Sequence, residues 1–337
     1  MHEISGFGEI LEMKQSRREF VRTLFIASQA AVASRFLPMD LLAEGAPPDA
    51  LNFLVLGDWG RRGETDQAEV AAQMGKAGAD IGAKFVVSVG DNFYEDGVAS
   101  IRDEHWRKSF EDVYTAPSLQ VPWYAILGNH DYHANCDAQI EYSKVSSRWR
   151  MPARYFMQSH QIDKDVTADF FYIDTTPMVK VYYDEYFEEP TRKQVITQDV
   201  PQQMKWFKAA LAASKAQWKI VFGHHPVYSG GDHGDTPEII QNILPLLQEH
   251  NVQAYFNGHD HDLQHLMAGD VNLFISGGGS RMRPTRETVH TKFADMTSGF
   301  MTVSLGAVKM NVCLIDNHGK LLYTTSLSRN SAVSQPA

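Results

Sequence analysis

Polar residues of one narrow kind recur just after apolar runs. "LNFLVL" is followed by Gly57-Asp58-Trp59-Gly60, and "KFVVSV" by Gly90-Asp91-Asn92-Phe93-Tyr94. "VPWYAIL" leads into Gly128-Asn129-His130-Asp131, "WKIVF" into Gly223-His224-His225, and "VQAYF" into Gly258-His259-Asp260-His261. Carboxylates, imidazoles, an amide oxygen and a phenol, with no thiolate among them, are donors for hard or borderline metal ions. They are too many for one tetrahedral site and enough for two ions that share a carboxylate. Two ions roughly 3.5–4 Å apart are a device for phosphoester hydrolysis, because they hold the substrate and acidify the attacking water. A single Gly-Asp after a strand is ordinarily a turn, and a single histidine an ordinary polar residue. Five such endings in one chain point instead to a shared site.

The elements that would position these donors are legible around them. Each run is short and continuously apolar, as in strands buried on both faces, and "VNLFIS" (residues 271–276) is another of the kind. Between them lie helical patterns over residues 66–82 and 202–215. A third, "TPEIIQNILPLLQEH", opens with Thr236 at the N-cap, Pro237 at the first helical position and Glu238 in the first turn. Strand and helix in alternation predict an α/β domain with its ligands at the carboxyl ends of the strands. The glycine before each donor is expected to let the backbone turn. Residues 299–328 read as a β-meander turning at Asn317-His318-Gly319, and residues 181–201 as an ordered surface loop. A single catalytic domain over residues 47–330 is expected, with a flexible tail at 331–337.

Composition narrows the partners. The chain has 337 residues, 43% of them apolar, and a net charge of −10, which argues against nucleic acid as a stable partner and against an anionic membrane surface. A small anionic substrate stays compatible with that charge, since local cations override a global field. Two cysteines, Cys136 and Cys313, are too few for a finger-type zinc site, and their pairing is left open. "SRREFVR" followed by "TLFIASQAAVA" has the order of a twin-arginine export signal, with paired Arg17 and Arg18 before a moderately apolar segment. Residues 1–46 are therefore expected to be signal and linker, with Met13 as an alternative start, the twin-arginine machinery as partner, and a periplasmic or secreted destination. The apolar segment is too short to form a stable membrane span.

The blocks "GDWG", "GDNFY", "GNHD", "VFGHH" and "GHDH", in this order, resemble the signature blocks of the metallophosphoesterase superfamily. More narrowly they resemble the purple acid phosphatases of the small, mammalian, tartrate-resistant type, and Tyr94 is the residue that discriminates. The resemblance runs from Leu51 to Arg329. It implies the metallophosphoesterase fold, an αββα sandwich of two packed mixed β-sheets flanked by helices. It implies two metal ions: Fe(III) on Asp58, Tyr94 and His261, a second ion (Fe(II), Zn(II) or Mn(II)) on Asn129, His224 and His259, and Asp91 bridging both. An acid phosphatase follows, in which a metal-bound hydroxide attacks a small phosphate monoester and His130 or His233 binds the phosphate and protonates the leaving oxygen. A phosphodiesterase acting on nucleotides or glycerophosphodiesters at the same centre is the alternative. A metal-binding protein without turnover is a third reading, which retention of the whole donor set disfavours. His225 stands where the mammalian type has tyrosine and is a further candidate for substrate contact, and Asp232 is expected to keep His233 charged. The loop over residues 277–284 offers Arg281 and Arg283 as anion holders, while His105, His133 and His290 are expected to be surface or structural. A monomer is expected.

Overall fold

A computed structural model of the chain describes residues 49–187 and 189–329, so the expected export signal and the C-terminal tail lie outside the described residues. The first half of the fold runs β1 (Leu51–Leu56), α1 (Gln67–Asp80), β2 (Phe85–Ser88), β3 (Trp123–Ala125), α2 (Cys136–Tyr142), β4 (Trp149–Arg150), β5 (Phe156–Asp163) and β6 (Val166–Tyr172). It continues with α3 (Glu189–Val195), α4 (Val200–Ala213), β7 (Trp218–Phe222), α5 (Pro237–Asn242), α6 (Leu244–Glu249) and β8 (Ala254–Asn257). Six further strands close the chain: β9 (Leu263–Ala268), β10 (Val271–Ser276), β11 (Thr291–Asp295), β12 (Gly299–Leu305), β13 (Lys309–Asp316) and β14 (Leu321–Ser328).

These strands form two seven-stranded mixed sheets, one ordered β14-β13-β12-β1-β2-β3-β4 and the other β11-β9-β10-β8-β7-β6-β5. β1 and β2 pair in parallel, as do β2 and β3, and in the second sheet β6, β7 and β8 run parallel. The register of β1 explains why its sequence does not alternate. Phe53 and Val55 face the opposite sheet, where the Phe53 ring lies 5.4 Å from Phe170 and 6.4 Å from Phe222. Leu54 and Leu56 face outward into a second core with Val70 and Met74 of α1. On the far side of the other sheet, Val221 and Tyr255 pack with Phe207 and Leu211 of α4. The layers are thus helix, sheet, sheet, helix, and the buried residues fill three cores between them.

Three local readings change. Residues 181–201 hold more than a loop: a 3₁₀ turn (Lys180–Tyr183), α3 and the first turn of α4. α3 buries only Thr191 and Val195, too few to print a helical period, and Pro201 sits within the first turn of α4, where its missing N–H costs nothing. The third helical pattern is two helices, α5 and α6, separated at Ile243, because Pro245 has no N–H to continue the ladder. Thr236 does occupy the N-cap of α5 but makes no side-chain capping bond. The meander stands as read, with β12, β13 and β14 antiparallel and Gly319 turning the last hairpin at φ 82°. Cys136 and Cys313 are both free thiols. Among the described residues no helix is long and apolar enough to cross a membrane.

Candidate metal centre

The parallel strands of both sheets end at one rim. Donors after β1, β2 and β3 therefore meet donors after β7 and β8 from across the sandwich, rather than lining the edge of a single sheet. Backbone bonds lock the rim. Gly57 N–H donates to the Ser276 carbonyl at 2.8 Å, Asp58 N–H to Gly90 at 3.0 Å, and Gly258 N–H to His224 at 3.1 Å.

The donors themselves carry the unusual backbone. Asp58 (φ 61°), Asp91 (φ 49°) and His259 (φ 73°) are left-handed, a conformation that costs of order 1 kcal/mol or more each and that clusters at functional sites. The glycines before them were expected to supply the turns, and among those five only Gly90 does so. Two of the others make room instead. A Cβ at Gly128 would lie 2.2 Å from Asp91 Oδ1, and one at Gly258 would lie 2.2 Å from Asp58 Oδ2. Each glycine leaves space for a carboxylate arriving from a neighbouring strand.

Two groups of donor atoms result. In the first, Tyr94 Oη lies 2.9 Å from Asp58 Oδ1, 2.8 Å from Asp91 Oδ2 and 3.0 Å from His261 Nε2. In the second, Asn129 Oδ1 lies 3.2 Å from His224 Nε2 and 3.0 Å from His259 Nδ1, and His224 Nε2 is 3.5 Å from Asp91 Oδ1. Asp58, Asp91 and His224 bring ligand atoms within 4.8 Å of one another in full burial. The donor set fits metal ions on elementary grounds: one phenolic proton cannot serve both the Asp58 and the Asp91 carboxylates, so the first group is rich in lone pairs. The protonation tendencies of two imidazoles agree. Burial holds His259 well below the ordinary imidazole value and His261 down at about 2, leaving neutral rings of the kind that ligate metals. Burial also drives Asp58 up, while Asp91, despite its own burial, is held well down by His224 and His130. His224 rises to about 9, because Asp91 outweighs its burial, and its Nδ1 donates to the Val89 carbonyl at 2.9 Å, turning Nε2 toward the centre.

The sequence matches the calcineurin-like phosphoesterase family over residues 51–263. It is 38% identical over 319 residues to purple acid phosphatase 17 of Arabidopsis thaliana, covering 89% of this chain and 90% of that one. It is 35% identical over 312 residues to tartrate-resistant acid phosphatase type 5 of Homo sapiens, covering 86% and 94%. The chain belongs to the purple acid phosphatases, within the calcineurin-like phosphoesterases. It is accordingly a hydrolase of phosphate esters built on a binuclear metallophosphoesterase site. Among solved structures it superimposes on GAP50, described as the anchor in the inner membrane complex of Plasmodium, with TM-score 0.74 and 25% identity over 84% of this chain and 90% of that one. The purple acid phosphatase PPD1 of yellow lupin shares the fold with TM-score 0.60 at 15% identity, over 83% of this chain and 54% of that one.

Around the centre of this purple acid phosphatase the remaining candidates divide. His130 stands at the rim with Nδ1 donating to the Glu95 carbonyl at 2.6 Å, and its ring lies 4.4 Å from that of Tyr94. His233 stacks on His259 at 4.2 Å. The expected influence of Asp232 gives way to that of two other residues. Asp260 accepts the His233 backbone N–H at 2.8 Å, and Arg283 donates to its Nε2 at 2.6 Å. Partial burial, opposed by Asp260 and helped by Arg283, keeps this imidazole below its ordinary value. His225 is fully buried, with Nδ1 2.9 Å from Thr175 Oγ1 and Nε2 2.7 Å from Tyr182 Oη, so both ring nitrogens are engaged by the protein. The glycine-rich loop spends the Gly277 and Gly279 amides on the Asp262 and Gly57 carbonyls, so it offers no nest there, and Arg281 is exposed while Arg283 reaches the rim.

Several supporting residues escaped the sequence reading. Asp131 accepts from the Gly128 and Asn92 amides at 2.8 and 3.0 Å and from Gln139 at 2.7 Å, holding the Asn129 turn. Burial and the nearby Asp91 raise its pKa to about 7. His105, read as structural, lies under the centre, donating from Nε2 to the Tyr94 carbonyl at 2.6 Å. Arg61 stacks its guanidinium 3.8 Å above the Tyr94 ring and pairs with Glu95. His133 pairs with Asp96 at 3.5 Å and lies 4.8 Å ring to ring from His130, whereas His290 stacks on Tyr228.

Proposed function

We propose that this enzyme is an exported, monomeric acid phosphatase that hydrolyses small phosphate monoesters at a centre of one ferric and one divalent ion. Asp58, Tyr94 and His261 would hold the ferric ion, Asn129, His224 and His259 a divalent iron, zinc or manganese, and Asp91 would serve both. The observation that carries this reading is the Tyr94 phenol, whose oxygen sits within 3.0 Å of Asp58, Asp91 and His261 together. A phenol of pKa ~10 yields its proton most readily to a trivalent ion. When bound, two such ions supply Lewis-acid polarisation of a phosphoryl oxygen and acidification of a water molecule.

The chain's own side chains orient the ester and move the proton. Asp91 Oδ1 accepts the His130 backbone N–H at 2.8 Å and so fixes the turn that carries that imidazole. A carbonyl only accepts, so His130 Nδ1 keeps its proton on Glu95 and Nε2 is the nitrogen that can take up a second. A proton carried on Nε2 is the one a leaving alkoxide would take, as general-acid catalysis requires. His233 would bind the phosphate from its Nδ1, since its Nε2 accepts from Arg283.

The test is a matched rate comparison on purified protein between a nitrophenyl phosphate monoester and its diester from acidic to mildly alkaline pH. The metal content and visible spectrum are recorded on the same sample. A coloured sample containing iron that prefers the monoester below neutral pH supports the reading. A colourless one that prefers the diester near neutrality rejects it in favour of a phosphodiesterase. The export half rests on residues 16–33 alone. Replacing Arg17→Lys together with Arg18→Lys should leave the precursor inside the cell, and undiminished export would dismiss the twin-arginine route.

A further inference from the structure

Beside the centre lies a cleft of about 430 Å³, within the size range of small-molecule sites, and Asn129, His233 and His259 form its inner end. Beyond them the walls change character. Val179, Val181 and Phe187 line it, together with Pro237, and the charged groups among these outer residues are the carboxylates of Asp235 and Glu238. Among the described residues no lysine or arginine lines it, and Arg283 approaches only through its bond to His233 at the inner end. The walls are fastened rather than loose. Tyr182 donates to His225 Nε2 at 2.7 Å, or accepts from it, which ties the 179–187 segment to the residue next to His224. Lys180 N–H donates to Glu238 Oε1 at 3.2 Å, joining that segment to α5, and Ser229 N–H donates to Asp235 Oδ1 at 2.9 Å.

We infer that this cleft is the subsite for the organic half of the substrate. It selects monoesters whose leaving group is apolar and neutral or cationic, such as aryl phosphates bearing an amine, over esters that carry a second anionic group. The inference rests on the phosphatase reading above and adds the leaving group to it. With the phosphate at the Asn129 and His259 end, a ring extending outward meets aliphatic and aromatic surface, and burying it there is favourable in proportion to the apolar area covered. A charged substituent on that ring then comes near two carboxylates with no lining cation to offset them. In a half-exposed site two such charges alter binding by roughly fivefold per unit of substrate charge, and less as salt rises. A cationic and an anionic substituent therefore differ by on the order of twentyfold.

The test uses the metal-loaded full chain at pH about 6, where amine and carboxylate are both ionised. kcat/KM is measured for 4-(aminomethyl)phenyl, 4-methylphenyl and 4-(carboxymethyl)phenyl phosphate, whose methylene spacer keeps the phenol leaving groups similar. The expected order is amine above methyl above carboxylate, carried mainly by KM and narrowing at high salt. The double variant Asp235→Asn with Glu238→Gln should bring the three within about twofold of one another. Equal rates on all three in the unmodified protein overturn the inference while leaving the phosphatase intact, as does an order that survives in a metal-loaded double variant. A protein that contains both ions and hydrolyses none of the three overturns the phosphatase reading, and the inference with it.

Discussion

Asp58, Tyr94 and His261 are at most 2% exposed, whereas Asn129 and His259 are only half-buried and look onto the cleft. The chemistry of the two halves differs as much as their exposure. The enclosed half offers a carboxylate, a phenol and a neutral imidazole, a set that favours high positive charge. The other half offers an amide oxygen and two imidazoles, of which His224 is as fully buried as the first group. Asp91 puts one carboxylate oxygen toward each group, Oδ2 to Tyr94 and Oδ1 to His224. In the proposed centre the contrast would mean a division of labour: one half would retain its ion and set its charge, and the other would exchange its ion and meet substrate.

The most damaging change should be Asp91→Ala, which removes the group the halves share and leaves His224 without its main partner. Loss of both ions and a fall in kcat of at least about 10³ are expected. Two ions per chain by metal analysis of this variant would break the bridging assignment. Next in size come two variants that should separate the halves. Tyr94→Phe should abolish the visible band and lower iron content while the divalent ion stays, and Asn129→Ala should keep the band while the divalent ion washes out. Loss of both ions in either variant would mean that the halves are not independent. The smallest effect is expected of Arg61→Met. The guanidinium above the Tyr94 ring stabilises electrons on that ring by about 0.5–2 kcal/mol, so its removal should move the band to longer wavelength with both ions retained. An unchanged spectrum would make Arg61 a packing residue only.

Much of the centre could be read in the sequence because its donors follow apolar runs directly. A buried strand announces itself by composition, and a polar residue just beyond it has few places to go except the rim. That logic put Asp58, Asp91, Tyr94, Asn129, His224, His259 and His261 among the candidates, and the family resemblance divided them between two ions. It could not find Asp131 or Thr175, since what each does depends on neighbours distant in the chain. Thr175 Oγ1, for example, accepts from the His224 and His225 amides. The purpose of the glycines was misread for a related reason. Left-handed turning is a local property, but the carboxylate that excludes a Cβ at Gly128 belongs to a different strand. The 179–187 wall was legible only as irregular, because it is held by single side chains such as Tyr182 and not by a repeating face.

The position of β1 has a consequence in time. It sits between β2, which follows within thirty or so residues, and β12, whose Val303 pairs with Phe53. The His259 amide that donates to Asp58 Oδ2 is 201 residues further along the chain. Contacts of such long range are the slow ones to form, and during synthesis they must wait for the later partner to emerge. Asp58 therefore spends most of translation at the end of a strand whose other edge is still unmade. The pocket proposed to receive the metals comes into being only once nearly the whole chain has left the ribosome, and a chain stopped short of β12 would have every donor without the strand that flanks β1.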